Sequence, residues 1–328
     1  MPFPLPVGHK FGCIALANAG IAQGLRGTIN LGDGMSVIFE PPFELNDAWR
    51  TWLGSIQTQQ LSMTSLAVLS HQPSATVGII DDENEALKRQ CLSFIYALFI
   101  AEVFHYDGGL VLSGSNEDGA AKFRQASRLE PLIRPNGVST VRIDEALIRR
   151  SAAIAAGMRS VHTPGQQQQR LHRGFHSWIR GVMEYYGDER LHQFVRAVEA
   201  IVKPEIGRTK KQFMDRCKVF VGDLAATLTL LREIYELRSL AEHLHPFDRA
   251  LTAYPQDQHE RIALLRGYQA QLLASHVYER IFSTPDLQRL FATEAAIDAF
   301  WGLSRSEQIN AWGPPIDLDA IATTRFIG

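Results

Sequence analysis

Apolar positions along this chain change their spacing near residue 144. Before that point they come in short runs punctuated by glycine and proline, the mark of strands and turns. Residues 11–17 and 35–39 read as strands, with Gly27, Gly32 and Gly34 supplying turns. Residues 66–70 and 75–80 read as the two strands of a hairpin around His71-Gln72-Pro73-Ser74. A helix is expected over 83–104, because its acidic first turn suits a helix N-terminus. Residues 109–113 and 139–143 read as further short strands.

From Asp144 onward the apolar residues recur at the three-and-four spacing of amphipathic helices. One helix is expected over 144–161, stopped by Thr163-Pro164-Gly165, with the Gln166–Gln169 run opening the next. Further helices are expected over 167–186, 188–202, 209–222 and 224–243, with Pro204, Gly207 and Gly222 as punctuation. Two more fit 257–282 and 285–301, the second with Thr284 as N-cap and Pro285 at its first position. The glycine- and proline-containing tail from Ser304 is expected to pack on the surface. Together these patterns predict an α+β protein. A mixed α/β domain over 1–143, a sensor or specificity module, precedes an all-α helical bundle over 144–328.

Composition is that of an ordinary globular protein, 328 residues with 45% hydrophobic and 21% charged, long enough for two domains. Cys13, Cys91 and Cys217 are odd in number, far apart and in no metal-ligand spacing, which predicts a reducing compartment. Met1-Pro2-Phe3-Pro4-Leu5-Pro6 lacks the basic start and apolar run of a secretory signal. The longest apolar stretch, 91–104, is interrupted by Ser93 and Glu102 and is too short to span a bilayer. The expectation is a cytoplasmic protein with no membrane partner. Its net charge of −2 conceals a basic middle: residues 142–218 hold 15 Lys plus Arg against 8 Asp plus Glu, about +7. Such a segment can attract phosphate backbones, although solvated helix faces are the plainer account of it.

Several chemistries are disfavoured by spacing. No GxGxxG or GxxxxGK[ST] appears among the early glycines, so no nucleotide or other cofactor site is assigned. Ser113-Gly114-Ser115 lacks the GxSxG elbow of a serine hydrolase. Asp81-Asp82 and Asp188-Glu189 stand where helix N-termini are expected, and capping accounts for them. His172 and His176 have a zinc-compatible spacing, but no intervening glutamate or third ligand accompanies them, and no metal is expected.

The stretch most suggestive of chemistry is 233–246, which holds Arg238, Ser239, His243 and His245. Leu230, Leu231, Ile234, Leu237, Leu240 and Ala241 place it on the last turns of a helix, and Pro246 ends that helix at about 243–245. The helix-end dipole there favours charged imidazoles. At roughly 100° per residue, Arg238 and His245 share a face, whereas His243 is displaced by more than a third of a turn. A site using both Arg238 and His243 therefore needs a second helix or a second copy of the chain. A guanidinium can bind phosphate through two N–H groups, and a histidine can move a proton near neutral pH.

Tyr235-x-Leu237-Arg238-Ser239-x-x-x-His243 resembles the signature of the HEPN superfamily: an arginine, a polar residue after it and a histidine four to six residues on. Residues 190–201 resemble the helix that precedes this signature. The resemblance covers roughly 170–250, and it departs from the usual pattern at Glu242 and Leu244. It implies a HEPN-like helical domain acting as a metal-independent endoribonuclease of the defence (antiviral) or toxin type. The site would be composite, formed by a homodimer. There the ribose 2′-OH attacks its own phosphodiester, Arg238 holds the phosphate, Ser239 orients the site and His243 assists proton transfer. His245 is the alternative histidine, His243 being favoured. RNA is the implied partner, with a protein activator or antitoxin as a further one. The other reading is a catalytically inactive HEPN-like module for dimerisation and for binding RNA or protein.

Overall fold

In the computed structural model, which describes residues 3–161 and 169–327, six strands form one antiparallel sheet. They are β1 (His9–Ala17), β2 (Thr28–Gly32), β3 (Met35–Ile38), β4 (Thr64–Pro73), β5 (Gly108–Asn116) and β6 (Ala121–Arg128), in the order β2-β3-β4-β1-β5-β6. Central β1 pairs with both β4 and β5 and is buried on both faces, which is why it reads as a continuous apolar run. Phe11, Cys13 and Ala15 join Leu53 and Leu61 of α1 (Asp47–Ser62) in the core on one face. On the other face α2 (Asp82–Ala101) crosses so closely that a Cβ on Gly12 would lie 2.6 Å from the Lys88 backbone nitrogen.

The expected hairpin at 75–80 does not form. His71, Gln72 and Pro73 continue β4, where they pair with Phe11, Lys10 and His9. The following segment turns back to serve a buried cation instead. The Lys10 ammonium is fully buried; it donates to Thr76 at 2.6 Å and Asp81 at 2.5 Å and lies 3.2 Å from Glu83. Hydrogen bonds lower the pKa of both carboxyls, from Lys10 first at Asp81 and from Ser74 first at Glu83. Asp81 is also the N-cap of α2. Residues 139–143 make isolated bridges, Val141 with Phe104 and Ile143 with Ile21, rather than a strand. Helix α1 falls outside the elements expected from the pattern, and Gly54, at a non-helical φ of +75°, kinks it midway.

Beyond the sheet the chain is helical: α3 (Glu145–Val161), α4 (Gln169–Met183), α5 (Gly187–Val202), α6 (Thr209–Val221), α7 (Ala225–Glu242) and α8 (His259–Ser283), then α9 (Pro285–Leu290), α10 (Glu294–Gly302), α11 (Arg305–Trp312) and α12 (Leu318–Arg325). The Thr163-Pro164-Gly165 stop and Gln166 to Gln168 lie outside the described residues. The fold is α+β, with strands early and helices late. Two compact units are delineated, Met1–Pro131 with Thr140–Ala155, and Leu132–Ser139 with Ala156–Gly328.

In the second unit α8 is the central helix, packed by α4, α5, α7 and α12. The single helix expected over 285–301 is two, because Thr293 caps a new start by accepting from the Ala296 N–H at 3.1 Å. The tail is not a loose covering. Ser304 and Glu307 make a reciprocal capping box for α11, and Trp312 at its end is fully buried against Phe220. Among the described residues, no helix is long and apolar enough to cross a membrane.

Gly12→Ala is expected to destabilise the first unit by about 1–3 kcal/mol, since the new methyl meets the rigid backbone of α2 rather than a side chain that could swing away. Urea unfolding followed by far-UV circular dichroism checks this. An unchanged midpoint would show that α2 can move off the sheet at no cost.

Candidate functional site

Arg238 lies in the seam between α5 and α7, with 14% of its side chain exposed. One terminal nitrogen pairs with Glu242 at 2.5 Å, one turn further along α7, and the other with Glu199 of α5 at 3.3 Å. The guanidinium also lies over the Tyr235 ring, 5.8 Å from its centroid, and Tyr235 packs against Phe213 of α6. Burial raises the Glu199 pKa, and Arg238 offsets that only in part. Burial lowers the pKa of His192, on the same face of α5, and the Arg238 charge lowers it further. Arg238 Nε, Glu199 Oε1 and His192 Nδ1 are all buried with no hydrogen-bond partner among the described residues.

The histidines of the motif lie elsewhere. Helix α7 ends at Glu242, with His243 as its C-cap. The Leu244 N–H then donates to Ala241 O at 3.1 Å and the His245 N–H to Leu240 O at 2.9 Å. This is the Schellman pairing, which needs a left-handed residue at the position after the cap. That residue is Leu244, at φ +55° with 88% of its surface exposed. A side chain in this conformation costs on the order of 1 kcal/mol. His243 and His245 are both exposed, their ring centroids 6.3 Å apart. The helical-wheel alignment of His245 with Arg238 therefore does not apply, because the chain reverses before reaching it. Among the described residues no ion pair, hydrogen bond or ring contact joins either histidine to Arg238. Ser239 is half-buried, and its carbonyl accepts from the His243 N–H at 3.3 Å.

Sequence reasoning missed His192, Glu199 and Glu242 as members of the Arg238 cluster, Glu242 standing out only as a departure from the HEPN pattern. The Arg238–Glu242 pairing was legible, since residues four apart face one another on a helix. His192 and Glu199 are seven apart on α5, but only the packing of α5 on α7 brings them to Arg238.

The basic middle is also partly spent inside the fold. Arg170 donates to Ala200 O at 2.8 Å, and Arg216 donates to the carbonyls of Val202 and Lys203. These bonds satisfy carbonyls that the end of α5 leaves open. His172 and His176 bring their Nε2 atoms within 3.2 Å, but no group of three or more potential ligands for a metal ion occurs among the described residues.

Comparison with protein-family models, with curated proteins and with solved structures yields no match. The HEPN resemblance therefore rests on the residues quoted for it.

Arg238→Ala removes the charge that offsets the burial of Glu199. A carboxyl whose folded pKa is raised destabilises the fold while ionised and ceases to do so once protonated. The loss relative to wild type is expected to be about 1–3 kcal/mol near neutrality. It should shrink as the pH falls toward about 4.3, the unfolded value, and Glu199 takes up its proton. Urea melts of both proteins across this range check the sign. A loss independent of pH would assign the cost to lost packing over Tyr235 instead.

Proposed function

We propose that the helical unit is a metal-independent endoribonuclease of the defence or toxin type, working as a homodimer and held in a resting state by its own carboxylates. The observation that carries this reading is the separation of the two chemistries. A half-shielded guanidinium sits in the α5–α7 seam, while the motif histidines are exposed beyond the helix end. A second copy of the chain could present His243 to the Arg238 of the first. In that arrangement the ribose 2′-OH attacks the adjacent phosphorus and the 5′-oxygen of the next nucleotide leaves. One imidazole takes the hydroxyl proton and another returns a proton to the leaving oxygen. Arg238 neutralises charge on the phosphate, and Ser239 orients the site. His245 is the alternative to His243, and His192 supplies an imidazole on the Arg238 side of the seam. Phosphate can reach the guanidinium only by displacing Glu242, a step that RNA itself, or a protein activator, would have to drive.

A second reading is favoured by those same ion pairs. With both terminal nitrogens of Arg238 engaged by Glu199 and Glu242, the unit could dimerise and bind RNA or protein without cutting.

Labelled structured RNA incubated with the protein in EDTA separates the two. Arg238→Lys keeps a positive charge in the seam but loses the planar two-pronged grip. Arg238→Lys and His243→Ala are each expected to lower cleavage about a hundredfold or more, and Glu242→Gln to raise it. Loss in His245→Ala with His243→Ala active would move the histidine by two residues. RNA binding without cleavage, in wild type and in Glu242→Gln alike, would establish the second reading. DNA of the same sequence should survive, because it lacks the attacking hydroxyl.

A further inference from the structure

A cleft of about 440 Å³ opens within the second unit, lined by none of the residues of the Arg238 cluster. Its volume is in the range of small-molecule sites. Its wall includes Arg190 at the start of α5, a residue only 6% exposed. Arg190 donates to Ile133 O at 2.8 Å, to Glu184 O at 3.2 Å and to Gln271 Oε1 at 3.0 Å. That leaves the Nε hydrogen and one Nη2 hydrogen without a partner among the described residues. No carboxylate there lies within ion-pair distance of this guanidinium. The Glu184 carboxylate accepts from the backbone N–H groups of Tyr185 and Tyr186, at 2.8 and 3.1 Å, and its charge offsets only part of the burial of Arg190. Burial accordingly pushes the Arg190 pKa down to about 10. The guanidinium also lies over the Phe194 ring, 5.9 Å from its centroid. A buried cation whose hydrogen bonds go only to neutral oxygens is a favourable seat for an anion.

The rest of the cleft describes the body of such a ligand. Leu191, Leu264 and Tyr268 give it an apolar wall, and Tyr185 stands 77% exposed at its edge. Gly267, within α8, lines it too, and a Cβ there would meet no atom within 4 Å. A helical glycine costs about 1 kcal/mol against alanine. Here no close approach of a neighbour requires it, and its consequence is open volume. Asp188 and Glu260 line the cleft as exposed carboxylates, whereas Asp248 is already engaged by His259 at 2.7 Å.

We propose that this cleft binds a small organic anion with a flat apolar body, its phosphate or carboxylate on Arg190 and its N–H or O–H donors toward Asp188 and Glu260. The site is independent of the ribonuclease reading and stands or falls without it.

Isothermal titration of the full chain with adenosine monophosphate, with para-aminobenzoate and with inorganic phosphate tests the proposal. At least one aromatic anion should bind saturably, one per chain, and more tightly than inorganic phosphate; which of the two binds distinguishes a phosphate from a carboxylate ligand. Replacing Arg190 would strand the carbonyls of Ile133 and Glu184 and could prevent folding, so the blocking variant is Gly267→Leu. Leucine is the better helix former and meets no atom at its Cβ, so the melting temperature should not fall while affinity drops about tenfold or more. Absence of saturable binding by both aromatic anions, or unchanged affinity in folded Gly267→Leu, would overturn the proposal.

Discussion

The helical unit depends on one constraint: α8 carries polar side chains into the core, and each must find a partner there. Arg266 pairs with Glu233 of α7 at 2.8 Å and donates to the Tyr254 hydroxyl at 2.9 Å. Gln269 donates to Asp319 of α12, Gln271 accepts from Arg190 of α5, and Ser275 accepts from the Trp178 indole of α4. One turn on, the fully buried Tyr278 donates to Ala197 O of α5. Apolar packing alone would let these helices slide or rotate with little penalty. A buried donor left unpaired costs on the order of 1–3 kcal/mol, so these bonds select one rotation and one register for each neighbour of α8.

That selected register places the candidate chemistry. Docking α5 against α8 and α7 is what turns His192 and Glu199 toward Arg238. The outcome is a seam with more polar atoms than partners, shielded from solvent and electrostatically tense: Glu199 is driven toward its neutral form by burial while Arg238 draws it the other way. Beyond it the chain tolerates a left-handed Leu244 so that the last carbonyls of α7 are satisfied and the two histidines face solvent. Arg190 shows the same economy of partners with a different result. Its hydrogen bonds go to neutral oxygens, and the residue lines a cleft.

Comparison of pattern with fold shows where local information suffices. The strand at β1 and the helices α2, α5, α6 and α7 were legible, because burial on two faces leaves an unbroken apolar run and burial on one leaves a helical period. The division of 285–301 into α9 and α10 was signalled by Thr293, and α11 by Ser304 and Glu307, both visible as capping residues. By contrast, 75–80 has strand-like composition and forms no strand. It is held instead by Lys10, sixty-six residues away at Thr76, and no local pattern reports such a partner. Edge strand β6, with Phe123 as its one buried residue, has too little apolar alternation to be seen.

By itself the sequence determined the α+β class, the change from strand to helix near residue 144, and the placing of Arg238 and Ser239 on the last turns of a helix. These depend on the spacing of side chains along one backbone, and that spacing is present in the chain before it folds. Tertiary structure alone decided that Arg238 is held by Glu199 as well as Glu242, that His192 is the imidazole beside it, that Arg170 and Arg216 close the end of α5, and that Arg190 borders an open cleft. Each of these joins residues on different elements, and which faces meet is settled only when the buried polar groups of the bundle are all competing for partners at once.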